Sequence, residues 1–118
     1  MKTIELAKQL VKSLTESQEY QNYKKAKSIL EEHEAAKTML EDFRKKQWEL
    51  ERKRVAGDKL LEPLEKELEK LAEIIGVNPY VRDYLMAEFQ FTQVMMEIQR
   101  IINEGIGLQN PEEVLKEK

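Results

Sequence analysis

The sequence NPYVRDYLMAEFQFTQVMMEIQRIINEG, residues 78–105, carries the strongest structural signal in the chain. Asn78 is a favoured helix N-cap and Pro79 fits the first helical turn, so a helix is predicted to begin here. Seven positions then recur at steps of three and four, which is the period of one helix face. This seam consists of Val81, Tyr84, Glu88, Phe91, Met95, Ile98 and Ile102. With Gly105 as its stop, the helix is about 39 Å long at ~1.5 Å per residue.

Two helical segments open the chain. An apolar stripe from Ile4 to Leu14 steps by three or four and predicts the first helix. Ser17 is a good N-cap for a second helix, with Glu19 in its first turn. That second stripe ends near residues 32–34, where no Gly or Pro forces a stop.

Two further segments lie in the middle of the chain. Residues 34–55 form a long charged helix with a heptad-like seam that Met39 and Trp48 widen. Gly57 suits the left-handed position of a turn after this helix. The next helix starts between residues 58 and 63 and stops at Gly76. Its seam is Leu61, Leu64, Leu68, Leu71 and Ile75.

No segment alternates with period two, so no sheet is predicted. The pattern predicts an all-α fold: an antiparallel bundle of about four to five helices with a long C-terminal helix, completed by dimerisation. Residues 1–118 are expected to form a single helical domain. Residues from about 105 to 118 are expected to be a flexible C-terminal tail, with a short helix starting at Asn110 as an alternative.

Composition excludes several classes of protein. The chain has no Cys among its 118 residues, which excludes disulfides and thiolate metal sites. We find no signal peptide and no apolar run long enough for a membrane span, so a cytoplasmic protein is expected. The net charge is −3 with both signs intermixed, which predicts no bulk attraction to nucleic acid or to a membrane.

Two residues are candidates for chemistry. His33 is the only imidazole, and its neighbours at i±3 and i±4 are not metal ligands, so a solvated or helix-boundary role is favoured over a metal site. Glu88 lies on the apolar seam, where a carboxylate needs a partner. An ion pair, with Arg44 as one candidate, is favoured over a catalytic role. No nucleophile, catalytic or metal-ligand set is recognisable, so no enzyme and no cofactor is predicted.

Two basic clusters, residues 44–46 and 52–54, raise the alternative of an RNA-binding accessory protein. Acidic residues alternate with these cations, and Trp48 is the only aromatic residue between the clusters. A solvated helix face is therefore favoured over a nucleic-acid surface.

The apolar faces exceed what a single small chain can bury, which predicts association with a second copy and with a protein partner. Met and aromatic side chains on the last helix suit either a core or an adaptable binding surface. The residues expected to form core or interface are Leu64, Leu68, Leu71, Phe91, Met95, Ile98 and Ile102.

Three blocks carry a resemblance to a known family: SQEY (17–20), AKTMLEDFRKKQ (36–47) and NPYVRDYLMAE (78–88). Over roughly residues 3 to 104 the chain resembles the YlbF/YmcA family of small bacterial proteins, with the YheA-like branch as the closer relative. The resemblance implies an all-α, oligomeric protein without catalytic residues.

The same resemblance implies a regulatory function. Members of the family act in complexes that regulate competence, sporulation and biofilm formation, and they are linked to RNA processing through an endoribonuclease that they help to direct. Some members bind iron–sulfur clusters through cysteines, and that cofactor does not carry over to a chain without Cys. The function expected is a helical adaptor or regulator that acts through protein–protein interaction.

Overall fold

The computed structural model describes residues 1–108. These residues form five helices and no strand, in the order α1 (Lys2–Glu16), α2 (Gln18–Glu31), α3 (Glu34–Val55), α4 (Glu62–Gly76) and α5 (Pro79–Gly105). The all-α prediction and the long last helix are confirmed. The predicted tail and the alternative helix at Asn110 fall largely on residues 109–118, outside the described part of the chain. Within residues 1–108, no helix combines the length and the apolarity that a bilayer span requires.

The helix ends follow the local chemistry of the sequence. Ser17 caps α2 by accepting a hydrogen bond from the Tyr20 amide at 3.3 Å. Asn78 caps α5, because its Oδ1 accepts from the amides of Tyr80 and Val81 at 3.0 and 3.2 Å. Gly57 takes the left-handed conformation after α3, with φ of 80°.

The end of α5 differs in detail from the prediction. Gly105 is still helical, and Gly107 is the residue in the left-handed conformation, with φ of 81°. The amides of Gly107 and Leu108 bond back to the carbonyls of Glu104 and Asn103, which satisfies the last turn. The helix itself ends at Gly105, one residue later than predicted, and the left-handed residue lies two positions further on.

Two antiparallel helix pairs make up the architecture. Helix α2 packs along the first half of α5, with Tyr20 beside Phe91 at one end and His33 stacked on Tyr80 at the other. Helices α3 and α4 form a hairpin, which lies between α2 and α5 in the order of the sequence. The core lies where the two pairs meet and contains Leu30, Ala36, Leu40, Ile75, Val81 and Tyr84.

This core is small for the length of the chain. Val81 is the only described side chain that is fully buried, and α1 contributes no buried residue. The Cα radius of gyration is 18.4 Å, whereas a compact domain of this size has about 13 Å. The five helices therefore form an open, extended arrangement in which much apolar surface faces solvent.

Candidate functional site

The second half of α5 extends beyond its packing partner. Helix α2 begins at Gln18, and its Tyr20 and Tyr23 rings pack on Phe91 with centroids 5.5 Å away. After Phe91, no helix of the described chain continues along this side of α5. We call the uncovered continuation the distal face, formed by Val94, Met95, Ile98, Ile101 and Ile102.

The distal face keeps the apolar character of the covered half. Met95 is 44% exposed and Ile102 is 46% exposed, whereas Val81 and Tyr84 on the same seam are buried. The sequence pattern is continuous across the two halves, so the difference in burial arises from where α2 ends and from the packing of α3 and α4 on the first half of α5 alone. Half of a core-type helix face is thus presented to solvent.

Helix α1 presents a second apolar surface. The backbone at Ser17 is extended, with φ of −70° and ψ of 152°, and this turns the chain sharply between α1 and α2. As a result α1 approaches only α2, and none of its Cα atoms lies within 8 Å of α5. We call its apolar side the α1 face, formed by Ile4, Leu10, Val11 and Leu14, of which only Leu14 is half-buried.

A third exposed set lies on another side of α5. Phe89 is 62% exposed and Met96 is 59% exposed, and Met86 is exposed one turn before Phe89. We call these three side chains the outer strip. Phe89 and Met96 point away from the side that α2 covers, whereas Met86 lines a groove together with Ala26 and Ile29 of α2. They are large and apolar, and two of them are flexible thioethers that adapt to a bound surface.

The residues predicted from sequence as core or interface fall into two groups. Leu64 and Leu68 are buried on α4, which packs on α3, and Leu71 is half-buried. On α5, Phe91 is half-buried under the tyrosines of α2. Met95, Ile98 and Ile102 lie together on the distal face, with Ile98 half-buried and the other two exposed. The structure thus brings the last three together and separates them from the leucines of α4.

Glu88 has the partner that its position on the seam required. Its carboxylate accepts from Arg44 of α3 at 2.5 Å and from the hydroxyl of Tyr84 at 2.9 Å. Burial acts to lower the pKa of Arg44, but the hydrogen bond and charge of Glu88 outweigh it and raise that pKa. Burial, with hydrogen bonds to Tyr23 and Glu88, raises the pKa of Tyr84 far above its ordinary value. The prediction of an ion pair with Arg44 is confirmed, and the group ties α3 to α5.

His33 occupies the corner between α2 and α3. Its Nδ1 lies 2.8 Å from the Ile29 carbonyl oxygen, and its ring stacks on Tyr80 with centroids 3.6 Å apart. The predicted helix-boundary role is confirmed. Within residues 1–108, no group of three His, Asp or Glu side chains is arranged to hold a metal ion.

The two basic clusters contain several ion pairs. Arg44 pairs with Glu88, and Lys46 pairs with Asp42 at 3.0 Å. In the second cluster, Lys53 pairs with Glu49 and Arg54 with Glu51 and Glu65. Most of these cations are therefore neutralised by nearby carboxylates.

Trp48 corrects one expectation about α3. It was expected to widen the apolar seam of this helix, but its ring is exposed. The guanidinium of Arg52 lies over the ring, 4.7 Å from its centroid. The exposed ring thus makes a cation–π contact with a residue one turn away.

Sequence reasoning identified the stripe of α1 but did not identify it as a candidate surface. The stripe of α1 is an exposed surface because the extended backbone at Ser17 directs α1 away from α5. The N-cap was visible in the sequence, and the angle between the two helices was not.

Comparison with known proteins matches the chain to one family model and to several UPF0342 proteins. The family model described as "Control of competence regulator ComK, YlbF/YmcA" matches residues 3–107. A UPF0342 protein of Caldicellulosiruptor bescii is 37% identical over 102 residues, which is 86% of each chain. A UPF0342 protein of Caldicellulosiruptor saccharolyticus is 36% identical over 106 residues, covering 90% of this chain and 88% of the relative. One from Desulfitobacterium hafniense is 33% identical over 106 residues, covering 90% and 86%. No solved structure matches the chain.

Proposed function

The chain belongs to the YlbF/YmcA family, and from this premise we propose that it is a non-enzymatic adaptor or regulator that acts by binding other protein chains. In this proposal residues 1–118 work as one helical unit in the cytoplasm, in the kind of regulation that gives the family its description. The processes concerned are competence, sporulation, biofilm formation and RNA processing. The YheA-like branch remains our proposed position within the family.

The observation that carries the proposal is the exposure of large apolar side chains on α1 and on α5. Isolated apolar residues at a surface are ordinary, but here they follow one another along helix faces. The apolar pattern continues where the intramolecular packing ends, which is typical of a surface that another chain covers. Nothing comparable in the described residues supports bond-making chemistry.

We assign different occupants to the two sides of α5. The distal face, with Met95, Ile98 and Ile102, serves a homo-oligomer, and Leu64, Leu68, Leu71 and Phe91 serve the core. The outer strip serves a protein partner, because a Met- and Phe-rich surface can repack against different chains.

Capture from a lysate of the native host tests the partner. Tagged wild-type protein is compared with the double variant Phe89→Gln/Met96→Gln, which replaces two exposed apolar side chains of the outer strip by polar ones. Lys70→Gln on α4 is the matched control. We expect one protein to be retained in stoichiometric amount by wild type and by the control, and to be lost with the double variant. Equal retention by all three, or no retained protein, would contradict the proposal.

RNA binding through residues 44–46 and 52–54 is the second candidate. The exposed Trp48 ring under Arg52 favours it, because aromatic and guanidinium groups together can stack on a base. The carboxylates paired with the other cations weigh against it. Binding of mixed RNA at low salt that weakens steeply with salt, and that Arg52→Gln/Lys53→Gln/Arg54→Gln abolishes, would support it. No shift with the wild-type protein would dismiss it.

A further inference from the structure

We propose that two copies of the chain exchange their first helices, so that the α1 face of each copy covers the distal face of the other. This inference rests on the proposed homo-oligomer and specifies its interface. The single chain leaves both the α1 face and the distal face uncovered. In the proposed dimer each of these surfaces covers the other.

The lengths of the two surfaces agree. Helix α1 has 15 residues and is about 22 Å long, at ~1.5 Å per residue. The part of α5 beyond Phe91 runs to Gly105 and is about 21 Å long on the same rise. One α1 therefore covers one distal face from end to end.

The chain's own α1 is not placed to do this. It turns away at Ser17 and stays more than 8 Å from α5 at every Cα. The α1 of a second copy meets no such restriction. If it lies end to end with the resident α2, it continues the packing that Tyr20 and Tyr23 already make on Phe91. The exchanged helix thus extends an existing interface along the same face of α5.

Charge complementarity favours the same pairing. Helix α1 carries three lysines against two glutamates, Glu5 and Glu16, and is net positive. The part of α5 beyond Phe91 carries Glu97 and Glu104, both of which pair with Arg100, and its net charge is negative. A pair of α1 helices or a pair of distal faces would instead bring like charges together. The antiparallel direction taken by α2 also places the positive N-terminal end of α1 near Glu104.

A two-fold arrangement follows from this pairing. Each copy gives one α1 and receives one, so the contact forms twice and closes at two copies. The outer strip lies on another side of α5 and stays free for a protein partner. A dimer formed in this way therefore remains compatible with the adaptor function.

Cross-linking tests the exchange, and the absence of Cys from the chain makes engineered thiols unambiguous. Leu10 is near the middle of α1 and Ile98 is near the middle of the distal half of α5. The two midpoints meet whether the helices run parallel or antiparallel. Leu10→Cys and Ile98→Cys are made as separate proteins, mixed, and treated with a short bismaleimide. Leu10→Cys mixed with Lys70→Cys is the matched control.

We expect a covalent dimer as the main product of the Leu10→Cys and Ile98→Cys mixture, and only traces from either variant alone or from the control. A dimer formed by Ile98→Cys alone would overturn the exchange in favour of pairing between α5 helices. The double variant Leu10→Cys/Ile98→Cys gives a further check. A cross-link within one chain of this variant would overturn the exchange, because α1 would then cover the distal face of its own chain. Light scattering of the wild type separates a failure of the exchange from a failure of the homo-oligomer. A dimer that lacks the α1–α5 cross-link refutes only the exchange. A stable monomer refutes the homo-oligomer.

Discussion

Removing the exposed side chains of the distal face should weaken self-association by a predictable amount. Complete burial of a Met or Ile side chain is worth about 1.5–3 kcal/mol. Met95 and Ile102 are still 44% and 46% exposed in the single chain. About 1 kcal/mol per residue therefore remains to be gained on association. A two-fold dimer contains four such residues, which gives about 3–4 kcal/mol after allowance for the methyl group that Ala retains.

The perturbation is the double variant Met95→Ala/Ile102→Ala. By this estimate its dimer dissociation constant rises by about two to three orders of magnitude, since ~1.4 kcal/mol corresponds to a factor of ten. The single chain should remain folded, because Ala is a strong helix former and neither side chain is in the core. Sedimentation equilibrium measures the dissociation constant, and circular dichroism reports the helix content.

Gln90→Ala/Gln93→Ala is the matched control, because both positions are exposed on α5 and lie off the distal face. Its dissociation constant should equal that of the wild type. The reasoning is refuted if the distal-face variant associates within about a factor of ten of the wild type. It is equally refuted if the control weakens association as much.

Three further measurements address the dimer and the fold. Met95→Asp or Ile98→Asp places an unpaired charge in the proposed contact and should cause dissociation or unfolding; an unchanged mass by light scattering and an unchanged thermal melt would contradict this. Asn78→Ala removes the acceptor for the Tyr80 and Val81 amides and should lower the free energy of unfolding in urea by about 1 kcal/mol, whereas Asn78→Asp should restore most of it. The pKa of Tyr84 is raised by burial and hydrogen bonding, so its neutral form stabilises the fold below the unfolded pKa of about 10, and this stabilisation is lost as the pH rises further. The stability difference between wild type and Tyr84→Phe should therefore shrink above about pH 10, and a constant difference through pH 11 would argue against the burial of this hydroxyl.

The helix ends were predictable because their causes are local. Ser17 and Asn78 cap with their own side chains, and Gly57 supplies the left-handed turn, so a few neighbouring residues contain the whole signal. Glu88 was also predictable, because a carboxylate on an apolar seam demands a partner and Arg44 was one candidate.

The surfaces were less predictable for a physical reason. Helical periodicity shows which side of a helix is apolar, and it does not show what covers that side. The seam from Val81 to Ile102 is continuous in sequence, yet α2 covers only its first part. The direction of α1 depends on the backbone at Ser17, and Trp48 is exposed with Arg52 over its ring. None of these follows from the spacing of apolar residues.

The insertion of the α3–α4 hairpin between α2 and α5 has a consequence for the order of folding. The hairpin closes through a short turn and pays little loop entropy, so it can form early. Tyr20 and Phe91, in contrast, are roughly 70 residues apart along the chain, and their contact must wait until the hairpin has brought α2 and α5 together. In the nascent chain, Tyr20 and Tyr23 of α2 therefore lack their partners on α5 until α5 has left the ribosome. The packing that covers the first half of α5, and so leaves the distal face uncovered, is therefore among the last to form.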